Sequence, residues 1–204
     1  MSDNKSPLNE TTIILRNVRG SFMKVFKPEA QEEGKTPKFS SAFIMDKRTN
    51  AEDIAKVKAA MKAAAMDKNN VFKGNPPPPN KLHLPLKDGS EVEYDGYGED
   101  TMFINASSTR RPSIVDQHRA PIAESDGIVY SGAYYDVCVK FFAYDATSKK
   151  GKKGISCELC AIQFKKDGES LGGGAPIDPN EVFDAADGET PAAKAGGNSS
   201  LWDD

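Results

Sequence analysis

Two long stretches of strand-forming residues, joined by a short basic loop, constrain the fold of this chain more than any other feature. They are GIVYSGAYYDVCVKFFAYD (127–145) and ISCELCAIQFKKDGE (155–169), with ATSKKGKKG between them. β-Branched and aromatic runs that flank a glycine-bearing loop are typical of a β-hairpin. The pattern therefore predicts a long hairpin with a lysine-rich tip.

Four earlier segments also have the composition of strands. They are bounded by turn residues and are rich in β-branched or aromatic side chains. The segments are TTIILRNVRG (11–20), KFSSAFIMD (38–46), KLHLPL (81–86) and TMFINASS (101–108).

One helix is predicted, at residues 50–68, with Asn50 as its cap and Asp53 near its positive end. Its apolar stripe consists of Ile54, Val57, Met61 and Ala65. A single stripe indicates that the helix packs on a sheet from one side. Many strands with one such helix favour a mainly β fold, either a small barrel or a strongly curved sheet.

The ends of the chain and one internal segment are predicted to lie outside the packed elements. Residues 75–80 include four consecutive prolines, which form a stiff extended spacer. Residues 1–10 and 175–204 contain few apolar residues and no periodicity, so we expect both to be disordered. One domain is therefore expected at residues 11–174.

Charge is divided unequally between the domain and the C-terminal tail. Residues 178–204 contain seven acidic residues and one basic residue, a net charge of −6, whereas residues 1–177 contain 26 basic and 23 acidic residues, a net charge of +3. Opposite charges on body and tail are typical of an interaction tail that can fold back.

The compartment is predicted from what the sequence lacks. No apolar run approaches the length of a membrane span, and MSDNKSPLNE does not resemble a secretory signal. The three cysteines are too few for a disulfide framework. We therefore expect a cytoplasmic protein with no membrane partner.

Enzymatic interpretations have little support in the sequence. P-loop, nucleophile-elbow and HExxH motifs are absent. The acids Asp95, Glu99, Asp100 and Asp116 could serve a metal-dependent nuclease, but they lie in turn-like stretches where Asp and Gly are expected. The sequence predicts no enzymatic activity and no cofactor, with a nuclease kept as an alternative.

The CELC motif raises the question of a zinc site. Cys138 with His83 or His118 could complete four ligands around Cys157 and Cys160. However, ISCELCAIQF is strand-like, and residues three apart on a strand point to opposite faces. No metal site is therefore predicted.

Aromatic residues interleaved with basic ones form the most informative pattern. Single-stranded nucleic acid is held by rings on which bases stack and by cations that follow the phosphates. The predicted stacking residues are Tyr94, Tyr97, Tyr134, Phe39, Phe22 and Phe26. The predicted phosphate contacts are Arg16, Lys24, Lys38, Arg110 and Arg111.

The tail ends in LWDD, so the only tryptophan of the chain, Trp202, precedes Asp203 and Asp204. This end resembles the acidic, aromatic-bearing C-termini of bacterial and T7-type phage single-stranded DNA-binding proteins. The resemblance implies that the tail competes with DNA for the basic groove and docks on partners.

The body resembles the same class of proteins. The segments KFSSAFIMDK, STRRPSIVD, VYSGAYYDV, FFAYD and KKGISCELCAIQFKKDGESLGGG are similar to a phage family first catalogued as a domain of unknown function. That family includes the single-stranded DNA-binding protein of an Enterobacter phage. The resemblance covers most of residues 11–174 and implies an OB-fold-like barrel with a helical insertion and a disordered acidic tail.

The function predicted from the sequence is sequence-independent binding of single-stranded DNA in phage replication or recombination. The expected partners are single-stranded DNA, phage or host replication proteins that bind the tail, and a second copy of the chain in a tail-mediated dimer. Besides the nuclease, an interaction protein that does not bind DNA stays as an alternative.

Overall fold

A computed structural model describes residues 8–30, 34–146 and 151–172 of the chain. The strands are β1 (Thr12–Glu29), β2 (Lys38–Asp46), β3 (Leu86–Asp88), β4 (Thr101–Ser108), β5 (Ser113–Val115), β6 (Tyr134–Asp145) and β7 (Lys153–Lys166), and the α-helix is α1 (Ala51–Met66). Three single-turn 3₁₀ helices span Pro79–Lys81, Gly89–Glu91 and Glu124–Asp126. The prediction of a mainly β fold with one helix is confirmed.

Five of the strands close into a barrel. Neighbours around it are β1, β2, β4, β7 and β6, and β6 pairs with β1 again. All of these pairs are antiparallel except β4–β7, which meet in parallel at Ser107 and Glu158. A five-stranded barrel of this kind is OB-like, as the family resemblance implies. The short strands β3 and β5 extend the sheet beside β4 and β7.

The barrel interior is filled by alternating side chains of its long strands. Leu15, Phe43, Ile104, Tyr135 and Leu159 are almost completely shielded from solvent and come one from each barrel strand. Since alternate residues of a strand face opposite sides, the residues between them face the outer surface, where Asn105 is exposed and Ala42 is covered. That outer surface is where a ligand can be bound.

Helix α1 packs on the barrel with the predicted face. Ile54, Val57 and Ala65 of the predicted stripe are buried, whereas Met61 is only half-buried. Asn50 occupies the N-cap position, as predicted, but its side chain makes no capping hydrogen bond: it accepts one from the Asp46 N–H and donates one to the Arg16 carbonyl. These bonds fasten the start of the helix to the barrel.

Several predicted boundaries shift in the structure. The first strand runs on past Gly20 to Glu29, and KLHLPL forms a strand only from Leu86 onward. Strand β5 was not predicted, because three residues after a proline carry too little periodicity to detect. The hairpin of β6 and β7 is confirmed.

Part of the predicted organisation falls outside the described residues. This applies to residues 1–7, to Lys149 and Lys150 of the hairpin tip, and to the tail with Trp202, Asp203 and Asp204. Among the described residues, no helix is both long and apolar enough to cross a lipid bilayer.

Candidate nucleic-acid interface

Strand β1 is interrupted at Phe22, and the interruption turns this side chain outward. The pairing of β1 with β2 slips between Ser21 and Lys24, and Phe22 adopts a left-handed backbone conformation with φ of 51°. A left-handed backbone conformation is uncommon for phenylalanine, and it raises the free energy of the folded state by on the order of 1–3 kcal/mol. The result is a ring that is 48% exposed in the middle of a barrel strand.

Phe22 begins a series of three edge-to-face contacts among four aromatic rings, which ends at Phe103 on β4. The ring centroids are 5.2 Å apart for Phe22 and Tyr94, 5.9 Å for Tyr94 and Tyr97, and 5.0 Å for Tyr97 and Phe103. Phe103 is buried, Tyr97 is half-buried and Tyr94 is 57% exposed. Burial raises the pKa of Tyr97 above its ordinary value of 10.0. The exposed rings of Phe22 and Tyr94 are therefore held in place by their contacts with each other and with the half-buried ring of Tyr97.

Two clefts lie on either side of Phe22, and we call them together the Phe22 groove. The first has a volume of about 360 Å³ and is lined by Ser21, Phe22, Glu93, Tyr94, Asp95, Ser131, Leu171 and Gly172. The second, of about 440 Å³, is lined by Phe22, Lys24, Glu29, Ala30, Ser40, Ser41, Ala42, His83, Asn105, Ala106 and Ser107. The groove therefore crosses β1, β2 and β4, the face that OB folds use to bind oligonucleotides.

The second cleft offers hydrogen-bonding groups with little charge. Ser40, Asn105 and Ser107 alternate with core residues on β2 and β4. Sequence reasoning missed these residues and His83. The signal was present in KFSS and FINASS, where polar residues recur at every second position of a strand.

The chain segment after β7 forms one wall of the first cleft. The guanidinium of Arg19 donates to the carbonyls of Gly132 and Glu169, at 3.1 and 2.6 Å, and the Leu171 N–H donates to the Ser131 carbonyl at 2.9 Å. Gly132 has φ of 117°, and a Cβ there would lie 2.0 Å from the Glu169 carbonyl oxygen. Only glycine permits this approach, which brings Leu171 and Gly172 to the groove.

The basic residues predicted to contact phosphates differ in whether a carboxylate pairs with their charge. Lys24 pairs with Glu29 beside the second cleft, and Lys38 is exposed at the start of β2. The guanidinium of Arg110 lies 3.0 Å from a carboxylate oxygen of Glu158. These exposed pairs are weak and can exchange a carboxylate for a phosphate at little cost.

Phe26 and Arg111 form a second aromatic and basic pair. The guanidinium carbon of Arg111 lies 5.7 Å from the centre of the partly buried Phe26 ring, which is a cation–π arrangement. Phe26 is four residues beyond Phe22 on β1. The pair offers a flat cationic surface rather than a free ring.

Of the predicted site residues that the structure describes, only Phe22, Tyr94 and Lys24 line the groove, and three of the others are held in different surroundings. Arg16 is held on the surface of β1 and β6 by a 2.9 Å ion pair with the buried carboxylate of Asp136. Tyr134 lies under the ammonium group of Lys166, 4.6 Å from its ring centre. Phe39 is only 9% exposed and belongs to the barrel core. The assignment of Phe39 as a stacking residue is therefore corrected, because a packed ring offers no free face to a base.

Metal ions in proteins are held by clusters of His, Cys, Asp and Glu side chains. Among the residues that the structure describes, no three or more such side chains lie close enough together to hold an ion. Cys157 is buried, whereas Cys160 is half-buried on the outer face. Asp116, one of the nuclease candidates, accepts the backbone N–H groups of His118 and Ala120 at 2.8 Å and so shapes a turn.

Comparisons with known proteins identify the family of the chain. Residues 11–192 match the family model of the single-stranded DNA-binding protein of Enterobacter phage Enc34. A putative protein p50 from Acyrthosiphon pisum secondary endosymbiont phage 1 is 30% identical over 178 residues, which are 84% of this chain and 92% of that protein.

Two solved structures share the fold. The phage Enc34 single-stranded DNA-binding protein, in complex with single-stranded DNA, superposes with a TM-score of 0.67 at 23% identity, over 80% of this chain and 91% of that one. The bacteriophage T7 single-stranded DNA-binding protein gp2.5 superposes with a TM-score of 0.54 at 12% identity, over 78% of this chain and 93% of that one.

The family match covers most of the chain, and it is a family of binding proteins rather than enzymes. The protein belongs to the family of phage single-stranded DNA-binding proteins typified by that of Enterobacter phage Enc34.

Proposed function

We propose that this protein binds single-stranded DNA, without sequence preference, in the Phe22 groove. The observation that carries the proposal is Phe22 itself, an exposed ring held in a strained conformation and braced by Tyr94. Strain of this kind persists where the surrounding structure enforces it, often at binding sites. A base has a flat face whatever its identity, so stacking on Phe22 and Tyr94 tolerates any sequence.

The rest of the groove and the residues near it suit the other parts of a nucleotide. Lys24 in the second cleft, Lys38 at the start of β2 and Arg111 beside Phe26 would supply cations for phosphates. Ser40, Asn105 and Ser107 offer donors and acceptors to sugars and base edges. Since phosphate contacts release counterions, affinity should fall as salt rises.

The acidic tail and the biological setting complete the proposal. The described part of the chain ends beside the groove, at Gly172. From there the tail, net charge −6 after Ile177, would compete with DNA for the groove. Trp202, Asp203 and Asp204 would then recruit phage or host replication proteins, or a second copy of the chain. The protein would act in phage replication or recombination, in the cytoplasm of the host cell.

The test is equilibrium binding of a fluorescently labelled oligo-dT, followed by anisotropy, with the full chain and with Phe22→Ala. Loss of one stacked base costs about 1–3 kcal/mol, so the dissociation constant should rise roughly 5- to 150-fold. Phe142→Ala is the matched control, because Phe142 is comparably exposed, on β6, and lines neither cleft.

The alternatives give different results. If Phe22→Ala and Phe142→Ala bind oligo-dT as well as the unchanged chain, the groove is not the binding site. If the unchanged chain does not bind at low salt, the protein acts through protein partners instead. Circular dichroism of both variants must match the parent chain for either conclusion to hold.

A further inference from the structure

A bulge in β7 places two cysteines side by side on the outer face of the barrel. In the β6–β7 pairing, Cys138 is opposite Ala161, and the next residue, Val139, is opposite Leu159. Cys160 is therefore an extra residue, and both Cys160 and Ala161 face Cys138. Regular pairing would have left only one of them there.

Burial confirms the direction in which the bulge turns Cys160. Leu159 and Ile162 are each 1% exposed and face the core, whereas the two residues between them are half-buried. In a regular strand, one of two consecutive residues would face inward. Cys160 therefore shares the outer face with Cys138, which is also half-buried, while Cys157 is enclosed in the core.

The two thiols also influence each other's ionisation. The Cys160 thiol donates to the Glu158 carbonyl at 3.8 Å, and its interaction with the Cys138 side chain lowers the pKa of Cys138 to about 7. The same interaction raises the pKa of Cys160. At neutral pH, Cys138 thus carries substantial thiolate, which is the nucleophilic form, and Cys160 keeps its proton.

A cleft gives reagents access to Cys138. It has a volume of about 220 Å³ and is lined by Ile14, Arg16, Val115, Asp136, Cys138, Ala161, Ile162 and Gln163. Arg16 is 61% exposed there, although its guanidinium is paired with Asp136. The cleft is open and lies outside the Phe22 groove, since the two share no lining residue.

From this juxtaposition we propose that Cys138 and Cys160 form a redox-active dithiol, which a low-molecular-weight disulfide such as oxidised glutathione converts to an internal disulfide. The Cys138 thiolate attacks one sulfur of the reagent, the reagent S–S bond breaks, and one glutathione leaves and takes up a proton. Cys160 then loses its proton and attacks the Cys138 sulfur of the mixed disulfide, which expels the second glutathione. Two protein thiols are oxidised, and one small disulfide is reduced to two thiols.

The experiment equilibrates the full chain with graded ratios of oxidised to reduced glutathione, followed by acid quenching, alkylation and mass spectrometry. The expected product has lost two hydrogens and yields a proteolytic fragment in which Cys138 is linked to Cys160. Cys157 becomes alkylated only after denaturation. Adding a reductant restores all three thiols.

Two variants separate the proposed pair from general thiol chemistry. Cys160→Ser should stop at a stable glutathione adduct on Cys138, because no second thiol is present to expel it. Cys157→Ala should form the internal disulfide as the parent does. Circular dichroism checks that both variants are folded.

Three outcomes would overturn the proposal. The first is a parent chain that accumulates the glutathione adduct as its end product. The second is an internal bond that involves Cys157. The third is a pair of thiols that stays reduced even when only oxidised glutathione is present. None of these outcomes depends on whether the protein binds DNA.

Discussion

At the scale of single residues, the site depends on side chains whose surroundings dictate an unusual state. Phe22 is exposed although phenylalanine is usually buried, and its backbone is left-handed although it lies in a strand. The sequence identified it as a stacking candidate from its alternation with Lys24 and Phe26. It could not show that Phe22 is exposed and Phe39 is not, because both are phenylalanines in strand-like segments.

Tyr135 shows the opposite use of an aromatic residue, inside the barrel. Its ring is fully buried, and its hydroxyl accepts from the Tyr130 N–H and donates to the Tyr130 carbonyl, each at 2.9 Å. Tyr135→Phe leaves both backbone groups without this partner, so we expect the free energy of unfolding to fall by about 1–3 kcal/mol. Urea unfolding measures this. Tyr94→Phe, at an exposed ring, should change it by less than about 0.5 kcal/mol.

The same residue contributes to the dependence of stability on pH. Burial raises the pKa of Tyr135 well above its ordinary value of 10.0, so the folded protein keeps a proton that the unfolded chain releases above about pH 10. The unfolded state then binds fewer protons, and the free energy of unfolding decreases as pH rises. Tyr135→Phe should have a shallower alkaline decline, and an unchanged slope would contradict this account.

At the scale of elements, the features on which the two proposals rest lie where the pairing of the barrel strands is irregular. The break at Phe22 exposes a ring, and the bulge at Cys160 aligns two thiols. A third break, between Leu15 and Val18, leaves Asn17 left-handed, with its N–H donating to the Asp136 carboxylate at 2.9 Å. A bulge changes the direction in which nearby side chains point, and this explains why bulges occur at these sites.

These irregularities mark the limit of what the sequence could predict. Periodicity predicted α1, β2, β4 and the β6–β7 hairpin, because each has enough residues to show a repeat. Register breaks depend on contacts between distant strands, which a local pattern does not contain. The strand order, the parallel β4–β7 contact and the place of His83 in the groove were therefore not predictable from single segments.

At the scale of the whole molecule, a weakly basic body carries a strongly acidic tail. A net charge of +3 on residues 1–177 gives modest attraction for DNA, and a tail of net charge −6 can offset it. Because the net charge of the body is small, the proposed mode of binding draws much of its affinity from base stacking.

Removal of the acidic tail should change the affinity for single-stranded DNA. A chain that ends at Ile177 should bind oligo-dT several-fold more tightly than the full chain at low salt, because its groove has no competing anion. The difference should shrink as salt screens the tail. Anisotropy titrations across a salt series measure this, with the double variant Asp203→Asn, Asp204→Asn expected between the two chains. Equal affinities at every salt concentration would show that the tail does not compete.

The most direct test of the central claim is to map where DNA touches the protein. An oligo-dT with 5-iodouracil substitutions is bound to the full chain at low salt and irradiated, and the cross-linked residues are identified by mass spectrometry. The account predicts cross-links at Phe22 and Tyr94, the two exposed rings of the groove. Cross-links confined to the outer face of β6 and β7, around Cys138 and Phe142, would contradict it.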